Sequence, residues 1–389
     1  MIQITDKRDC CGCTACENVC GHSAISLQPD ELGFLYPVVD VEKCVDCGLC
    51  DKVCQFHNDY CRYDNFDAPL IFGARHKDPY ELNRSQSGAA SWAIIQKFTA
   101  NGGIVYGVGF DNPAHIIHKR ATSIEECEEF RGSKYVQSDL RRVFPKVRKD
   151  LIAGKKVLFI GTGCQVAGLK SYIPRKLHEN LITVDLVCHA TPAPAVWQSY
   201  LDYLEKKYHS KVVHADFRDK AFGWHSHKEC ITFENGGKEV SENYFWLFYN
   251  HLTIRPSCTN CHFTNFSRVS DITISDFWGW EKYYDKWNDN KGVSLIMINS
   301  EKGRIFIDCD INLDMIESDE AKCSQPQLRH PIAPNPEYNE AVRIFVKKGY
   351  KGLAVKYGFA PGRAYYRKRW IGVKSKVYGV LSKIKRKFV

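Results

Sequence analysis

No run of apolar residues in the 389-residue sequence approaches the roughly 20 needed to span a bilayer as a helix. Its beginning, MIQITDKRDC, also lacks the apolar core of a secretory signal. The expectation is a cytoplasmic protein whose 18 cysteines are not the disulfide framework of an exported domain. Acidic residues are missing from one end. Ten of the 54 Lys and Arg lie from Gly362 onward with no Asp or Glu among them, and the other 44 meet 45 acids in the body. The net charge of +9 thus belongs to the tail, and the body is near neutral. No recognisable reading module accompanies the basic excess, so nucleic acid is not an expected partner.

What is present reads as an ordinary soluble interior, with 44% hydrophobic and 25% charged residues. The length suffices for two or three domains with a real core. In the tail, residues 360–389, Trp370, Val373, Val377, Leu381, Ile384 and Phe388 recur every three or four positions. That apolar stripe beside cations suits peripheral contact with the inner face of a membrane. It equally suits docking on the body or on a partner, and the pattern leaves both readings open.

Eight cysteines in the first 54 residues carry the most specific signal. Cys10, Cys13, Cys16 and Cys20 read C-x2-C-x2-C-x3-C, and Cys44, Cys47, Cys50 and Cys54 repeat the spacing. Three thiolates two residues apart can wrap three corners of a cubane, and the fourth suits the remaining corner of the other cluster. Zinc also takes four thiolates, but tandem runs with this final gap fit cubanes better. Cys11 is out of register with both runs and reads as a spare thiol. The spacing resembles bacterial-type two-cluster ferredoxins over residues 1–60. The resemblance implies one 4Fe-4S cluster on Cys10, Cys13, Cys16 and Cys54, and another on Cys44, Cys47, Cys50 and Cys20. Ferredoxins usually place Pro after each fourth Cys, where this sequence has Gly21 and Gln55.

A polar connector, roughly residues 57–68, follows. PLIFGARH reads as a strand, and SQSGAASWAIIQKFTANGG as a helix with Ser85 or Ser87 at its N-cap and Gly102 at its stop. IVYGVGF is a second strand, with helical patterns around 123–130 and 138–153. KKVLFIGTGC, LITVDLVCH and KVVHADFR then alternate with helices near 165–172 and 194–208. Such alternation predicts an α/β domain with a mixed, largely parallel sheet. Beyond Gly223 the pattern becomes more antiparallel before strands return in DITISDF and VSLIMIN.

Cys164 and Cys188 each end a predicted strand, which places both at the carboxyl edge of a parallel sheet. Cys258 and Cys261 form a CxxC in RPSCTNCHF. The four could enclose a third cubane. Gly161, Gly163 and Gly168, with Asp185 closing the next strand, also suggest a nucleotide turn. However, the third glycine is misplaced for that fingerprint and Cys164 occupies the turn, so the cluster is the preferred reading.

RSQSGAAS, RGSKYVQS, FIGTGCQVAGLK, VDLVCHATPAP, RPSCTNCHF and SDITISDFWGW with GVSLIMIN occur in this order. Over roughly residues 70–310 they resemble the beta-subunit family of coenzyme F-420 hydrogenases and dehydrogenases. The resemblance implies a flavin-binding part at 70–155 and a part at 156–325 with a third cluster on Cys164, Cys188, Cys258 and Cys261. It implies FAD as cofactor, F-420 as a candidate coenzyme, and flavin contacts from Gln86, Ser87 and Gly88 and from Ser133, Lys134 and Tyr135. Small residues there would let backbone approach a cofactor, and the helix start after Gly88 would offer N–H groups to phosphate. The sequence has GTGCQ, CHA and SGAAS where the family often has Pro before the Cys, CHG and a second glycine.

The resulting expectation is an iron–sulfur flavoprotein oxidoreductase. Electrons would pass between a redox partner protein or reduced coenzyme, the clusters, FAD and an unidentified organic substrate. Asp276 and Trp278, flanking Phe277 in SDFWGW, are candidates for the substrate face. His225, with Trp224 and His227 in GWHSHKE, is a candidate proton handler. A rival reading is an electron-transfer subunit that feeds a partner enzyme and has no substrate of its own.

Overall fold

The computed structural model describes residues 1–58, 65–308 and 310–364. The apolar stripe expected in the tail, from Trp370 on, lies outside the described residues.

The repeated cysteine spacing folds twice into the same loop. Gly12 and Thr14 in the first copy, and Asp46 and Gly48 in the second, take φ of 69°, 67°, 48° and 72°. Left-handed residues on both sides of a cysteine turn successive N–H groups inward, a concavity that favours an anionic centre. The loops lead into short helices, α1 (Ala15–Val19) and α2 (Leu49–Lys52). Between them β1 (Ile25–Pro29) and β2 (Leu35–Val39) form an antiparallel hairpin. Its turn plugs into the body: Leu32 and Phe34 are buried in one core with Trp197 and Tyr244. The Leu32 carbonyl accepts the Ala195 N–H at 3.0 Å. Gly33 (φ 83°) permits this approach, since a Cβ there would lie 2.9 Å from the Ala195 nitrogen.

The body contributes β3 (Asn65–His76), β4 (Ile104–Asn112), β5 (His115–Ala121), β6 (Val157–Thr162), β7 (Leu181–Leu186), β8 (Val212–Asp216), β9 (Glu229–Phe233), β10 (Lys238–Ser241), β11 (Ile272–Asp276), β12 (Ser294–Ser300) and β13 (Leu313–Ser318). Eight of these form one mixed sheet in the order β13-β3-β12-β11-β7-β6-β4-β5. Its centre, β4, β6, β7 and β11, is parallel. Both flanks are antiparallel. Strand β12 is buried along its whole length, as a strand covered on both faces must be.

Helices α3 (Pro79–Arg84), α4 (Ala90–Ala100), α5 (Val143–Ile152), α6 (Gly163–Tyr172), α7 (Pro194–Tyr208), α8 (Asn243–Tyr249), α9 (Glu301–Asp308) and α10 (Tyr338–Tyr357) complete the body. One sheet face packs on α4 and α9 through Ile94, Ile95 and Ile307. The other packs on α5 and α6 through Phe144, Val147 and Leu169.

Three local expectations are corrected. Strand β8 does not extend the main sheet; it pairs with β9 in a separate antiparallel sheet with β10. Neither Ser85 nor Ser87 caps α4. Ala89, in the left-handed region at φ 64°, precedes it, and Ser85 ends α3. Residues 123–130 hold only the short 3-10 turn Glu128–Phe130.

Candidate functional site

The structure gathers the N-terminal cysteines across the two runs. Burial pushes the Cys16 thiol up, and Cys13, Cys10 and Cys54 add to the shift. Cys54, from the second run, therefore sits with the first. Cys20, from the first run, lines a small cavity of about 20 Å3 with Cys44, Cys47 and Cys50 of the second. Backbone N–H groups are aimed at these sulfurs, Ile2 at Cys50 (3.3 Å) and Ala24 at Cys20 (3.4 Å). Hydrogen bonds to ligand sulfurs help set the potential of such centres.

The later quartet also converges. Burial raises the Cys188 thiol strongly, and Cys258, Cys164 and Cys261 raise it further. Thr191 N–H donates to Cys258 Sγ at 3.3 Å and Phe263 N–H to Cys261 Sγ at 3.4 Å. Cys164 lies in the first turn of α6, whose start is fixed by a capping box between Thr162 and Gln165. The CxxC loop is tied by Arg268 to β7, the strand that leads to Cys188. Its guanidinium bonds Asp185 Oδ2 at 2.7 Å, the Leu186 carbonyl at 3.0 Å and the Phe263 carbonyl. Asp185 is thus committed to Arg268, which removes it as a partner for a nucleotide ribose.

Arg255, three residues before Cys258, is a buried cation placed beside Cys10. It is only 1% exposed, yet no carboxylate pairs with it among the described residues. Its fork reaches the Cys10 carbonyl (2.7 Å), Cys10 Sγ (3.5 Å), Gln137 Oε1 (2.9 Å) and the Leu35 carbonyl (2.9 Å). A buried cation is costly unless compensated. Thiolates around iron on the Cys10 side would supply a counter-charge, so the donor set there fits the group.

Gly168 explains itself here. A Cβ on it would lie 2.6 Å from Cys13 Cβ and 2.8 Å from Cys13 Sγ. The glycine that spoils the nucleotide fingerprint is the seat of the N-terminal module on α6. Gly168→Val should cost about 1–3 kcal/mol through overpacking. It should also lower iron retention, as read by iron per chain beside a melting curve. A variant with full iron and an unchanged melt would contradict this seat.

A cavity of about 310 Å3 opens at the carboxyl ends of β6, β7 and β11. Gln86, Ser87, Ser133, Lys134, Tyr135, Asp276 and Trp278 all border it, as do Cys164 and Cys188. The start of α4 faces it through Ala89, Ala90 and Ser91; the N-cap residue supplies no side-chain bond, and Ser294 Oγ accepts the Ala90 N–H at 3.4 Å. Tyr135 is enclosed by Phe245, Phe217 and Phe248. Burial pushes its hydroxyl pKa up, while Arg218 pulls it down. Asp276 Oδ2 takes Arg218 Nη1 at 2.5 Å, and its Oδ1 takes Trp224 Nε1 at 3.1 Å.

Three expected roles look different in place. Gly88 does not border the cavity. Its N–H goes to Ser294 Oγ at 2.9 Å, and a Cβ would meet the Ala74 carbonyl at 2.1 Å. Strand packing, then, requires this glycine. Lys134 turns its Nζ to the carbonyls of Glu129 (2.6 Å) and Arg131 (2.7 Å), and burial lowers its pKa to about 7. His225 lies outside the cavity lining; its backbone N–H bonds Asn290 Oδ1 at 3.2 Å. Sequence reasoning missed Arg218, Arg255 and Arg268, because isolated arginines give no periodic signal.

Two cysteine-lined sites in a ferredoxin-type module, beside a sheet-edge cavity, define an iron–sulfur protein. Residues 154–322 match the family model for the C-terminal region of the coenzyme F-420 hydrogenase/dehydrogenase beta subunit, and residues 9–58 match the 4Fe-4S dicluster domain. The chain thus pairs an N-terminal dicluster domain with a region similar to the C-terminal part of this beta subunit. The first match spans Cys164, Cys188, Cys258 and Cys261; the segments at 86–91 and 133–138 precede it. An uncharacterized protein of Nostoc sp. (strain PCC 7120) is 27% identical over 277 residues, 62% of this chain and 66% of that protein. The chain thus spans just under two thirds of that relative's length. A chain of the F-420-reducing NiFe hydrogenase complex from Methanosarcina barkeri aligns with a TM-score of 0.45 at 17% identity, over 77% of this chain and 97% of that one. Among the described residues no helix is long and apolar enough to cross a membrane.

Proposed function

We propose that the chain is an FAD-dependent iron–sulfur oxidoreductase, with a third cubane on Cys164, Cys188, Cys258 and Cys261. The observation that carries this is the cavity whose wall includes both Cys164 and Cys188. A ligand there touches the residues beside the proposed cluster. At about 310 Å3 it is at the lower end of enclosed ligand sites, so part of a molecule as long as FAD extends to the open rim. Bound flavin supplies exchange between two-electron hydride chemistry and single electrons. The residues present suit that guest. The start of α4 offers backbone N–H groups to phosphate oxygens. Tyr249 and Trp278 provide flat apolar surface, and the Arg218–Asp276 pair with Tyr135 holds donors and acceptors fixed at the inner end.

The substrate side supports a protein redox partner as well. Cys47 is exposed and borders the same small cavity as the exposed Val45 and Leu49, an apolar rim beside the outer cluster. F-420, NADH and a ferredoxin-type carrier remain the candidate donors.

Anaerobic reconstitution with iron, sulfide and FAD tests the reading. At about four irons per cluster, about twelve per chain with stoichiometric flavin is expected. About eight irons would remove the third cluster, and chains with full iron that retain no flavin would leave the electron-transfer subunit as the better description. Bleaching by reduced F-420, NADH or reduced ferredoxin then identifies the donor.

A further inference from the structure

Cys11 belongs to neither cysteine run, yet it is placed between two of the cluster sites. It is 7% exposed, inside the loop from Cys10 to Cys13. Gln55 Nε2 donates to Cys11 Sγ at 3.2 Å and to the Cys164 carbonyl at 2.7 Å. The Cys11 thiol lies close enough to Cys13 and Cys164 to interact with both. From the cavity side, Gln137 Nε2 holds the Cys11 carbonyl at 3.0 Å, and Arg255 in turn holds Gln137 Oε1 at 2.9 Å. One ligand of the inner N-terminal cluster, one non-ligand thiol and one ligand of the proposed third cluster thus stand in a continuous line.

Gln55 makes this more than a packing coincidence. It stands where two-cluster ferredoxins usually have Pro, which has neither a side-chain donor nor a backbone N–H. Here the side chain is 2% exposed, and its Oε1 has no partner. Burying an amide with one end unsatisfied costs free energy, so the two bonds it does make must be retained for something. One of them stays within the N-terminal module, at Cys11, and the other crosses to the body at Cys164.

We propose that Cys11 and Gln55 are positioning residues that form the direct electron junction between the Cys10/Cys13/Cys16/Cys54 cluster and the cubane of Cys164, Cys188, Cys258 and Cys261. The inference rests on the three-cluster reading and specifies how its inner two centres communicate. One electron leaves the reduced centre and one enters the oxidised centre. Cys11 keeps its proton, and no bond is made or broken. Because the contact is buried, the transfer does not cross solvent. The outer cluster of Cys20, Cys44, Cys47 and Cys50, with its exposed Cys47, is then the port to the carrier.

The test uses the full chain reconstituted anaerobically, with limiting dithionite as the reductant. Appearance of the third-cluster signal is followed by freeze-quench electron paramagnetic resonance. Cys11→Ala and Gln55→Leu should keep about twelve irons per chain. The transfer rate should fall about tenfold or more, the scale of loss when reacting centres are slightly misplaced. Cys11→Ser keeps an acceptor for Gln55 and should restore most of the rate, which a merely space-filling role would not predict. Full iron with the parent rate in Cys11→Ala and Gln55→Leu would overturn the junction. If Cys11→Ala loses iron, the comparison of Gln55→Leu with Cys11→Ser decides by the same criterion. About eight irons in the unaltered chain would sink the three-cluster reading itself, and the junction with it.

Discussion

Asp185→Leu is expected to destabilise the protein by about 3–5 kcal/mol, the cost of stripping one partner from a buried ion pair. That is a large share of the roughly 5–15 kcal/mol that holds a typical domain folded. Arg268 and Asp185 are 1% and 0% exposed, and 2.7 Å separates their charged atoms. Without the carboxylate, the guanidinium is left in the interior with only the carbonyls of Phe263 and Leu186, a distant Asn265 carbonyl, and Thr273 Oγ1. The effect should reach the cluster site. Asp185 lies three residues before Cys188, and Phe263 two after Cys261, so loosening the pair frees both segments of the proposed third site. Denaturant unfolding and iron per chain would both be measured. The double variant Asp185→Leu with Arg268→Met removes both charges and should recover most of the stability. A single variant within about 1 kcal/mol of the parent would show that the pair does not organise the site.

The contrast between that pair and the cysteine runs shows what the sequence can disclose. Ligand spacing within each run is local, and a repeat of local spacing is visible without any fold. The crossed gathering of Cys54 with the first run and Cys20 with the second follows from the same repeat. Cys164 and Cys188 are legible one step later, because each lies two residues beyond an apolar strand and parallel neighbours bring strand ends together. Partners without local periodicity are not legible. Gln55 reaches Cys164 across 109 positions, and Arg255 reaches Cys10 across 245. Gly168 stands out only as an irregularity, since the side chain it accommodates lies in another module. Strand β8 departs from expectation for a different reason. Alternation predicts a strand beside β7, but the position goes to β11, whose Ile272 and Ile274 are buried. β8 leaves Val213 and His214 exposed, which suits a small antiparallel sheet better than the covered centre. The SQSGAAS segment attracts attention for its small residues, and these do border the cavity. Gly88, however, answers to the backbones of β3 and β12.

Arg255→Met should lower the midpoint potential of the Cys10 cluster on the order of 100 mV. The sign follows from charge: a cation beside the centre stabilises the added electron, so its removal makes reduction harder. The size follows from Coulomb's law, roughly 3 kcal/mol at an effective dielectric of about 20 and a separation of about 5 Å. For a one-electron couple that corresponds to on the order of 100 mV. Methionine suits the site sterically, since the guanidinium lies over the rings of Phe34 and Tyr36 at 5.3 and 4.4 Å from their centres. Gly12 already leaves room for the longer side chain, as a Cβ there would lie 2.7 Å from Arg255 Nη1. Arg255→Lys separates charge from geometry. It keeps the cation but cannot reproduce the fork that joins Cys10, Leu35 and Gln137. A lysine potential close to the parent assigns the shift to charge, and one close to methionine assigns it to the hydrogen bonds. Redox titration of the N-terminal clusters distinguishes these results, and a methionine variant with the parent potential would refute the compensation argument. The same argument predicts a second asymmetry: iron removal by a chelator leaves Arg255 buried and uncompensated in the parent but not in Arg255→Met. The parent should therefore lose more stability on chelation than the variant, by up to about 3–5 kcal/mol. If both lose the same amount, the thiolate centres are not what balances the charge of Arg255, and its carbonyl partners must suffice.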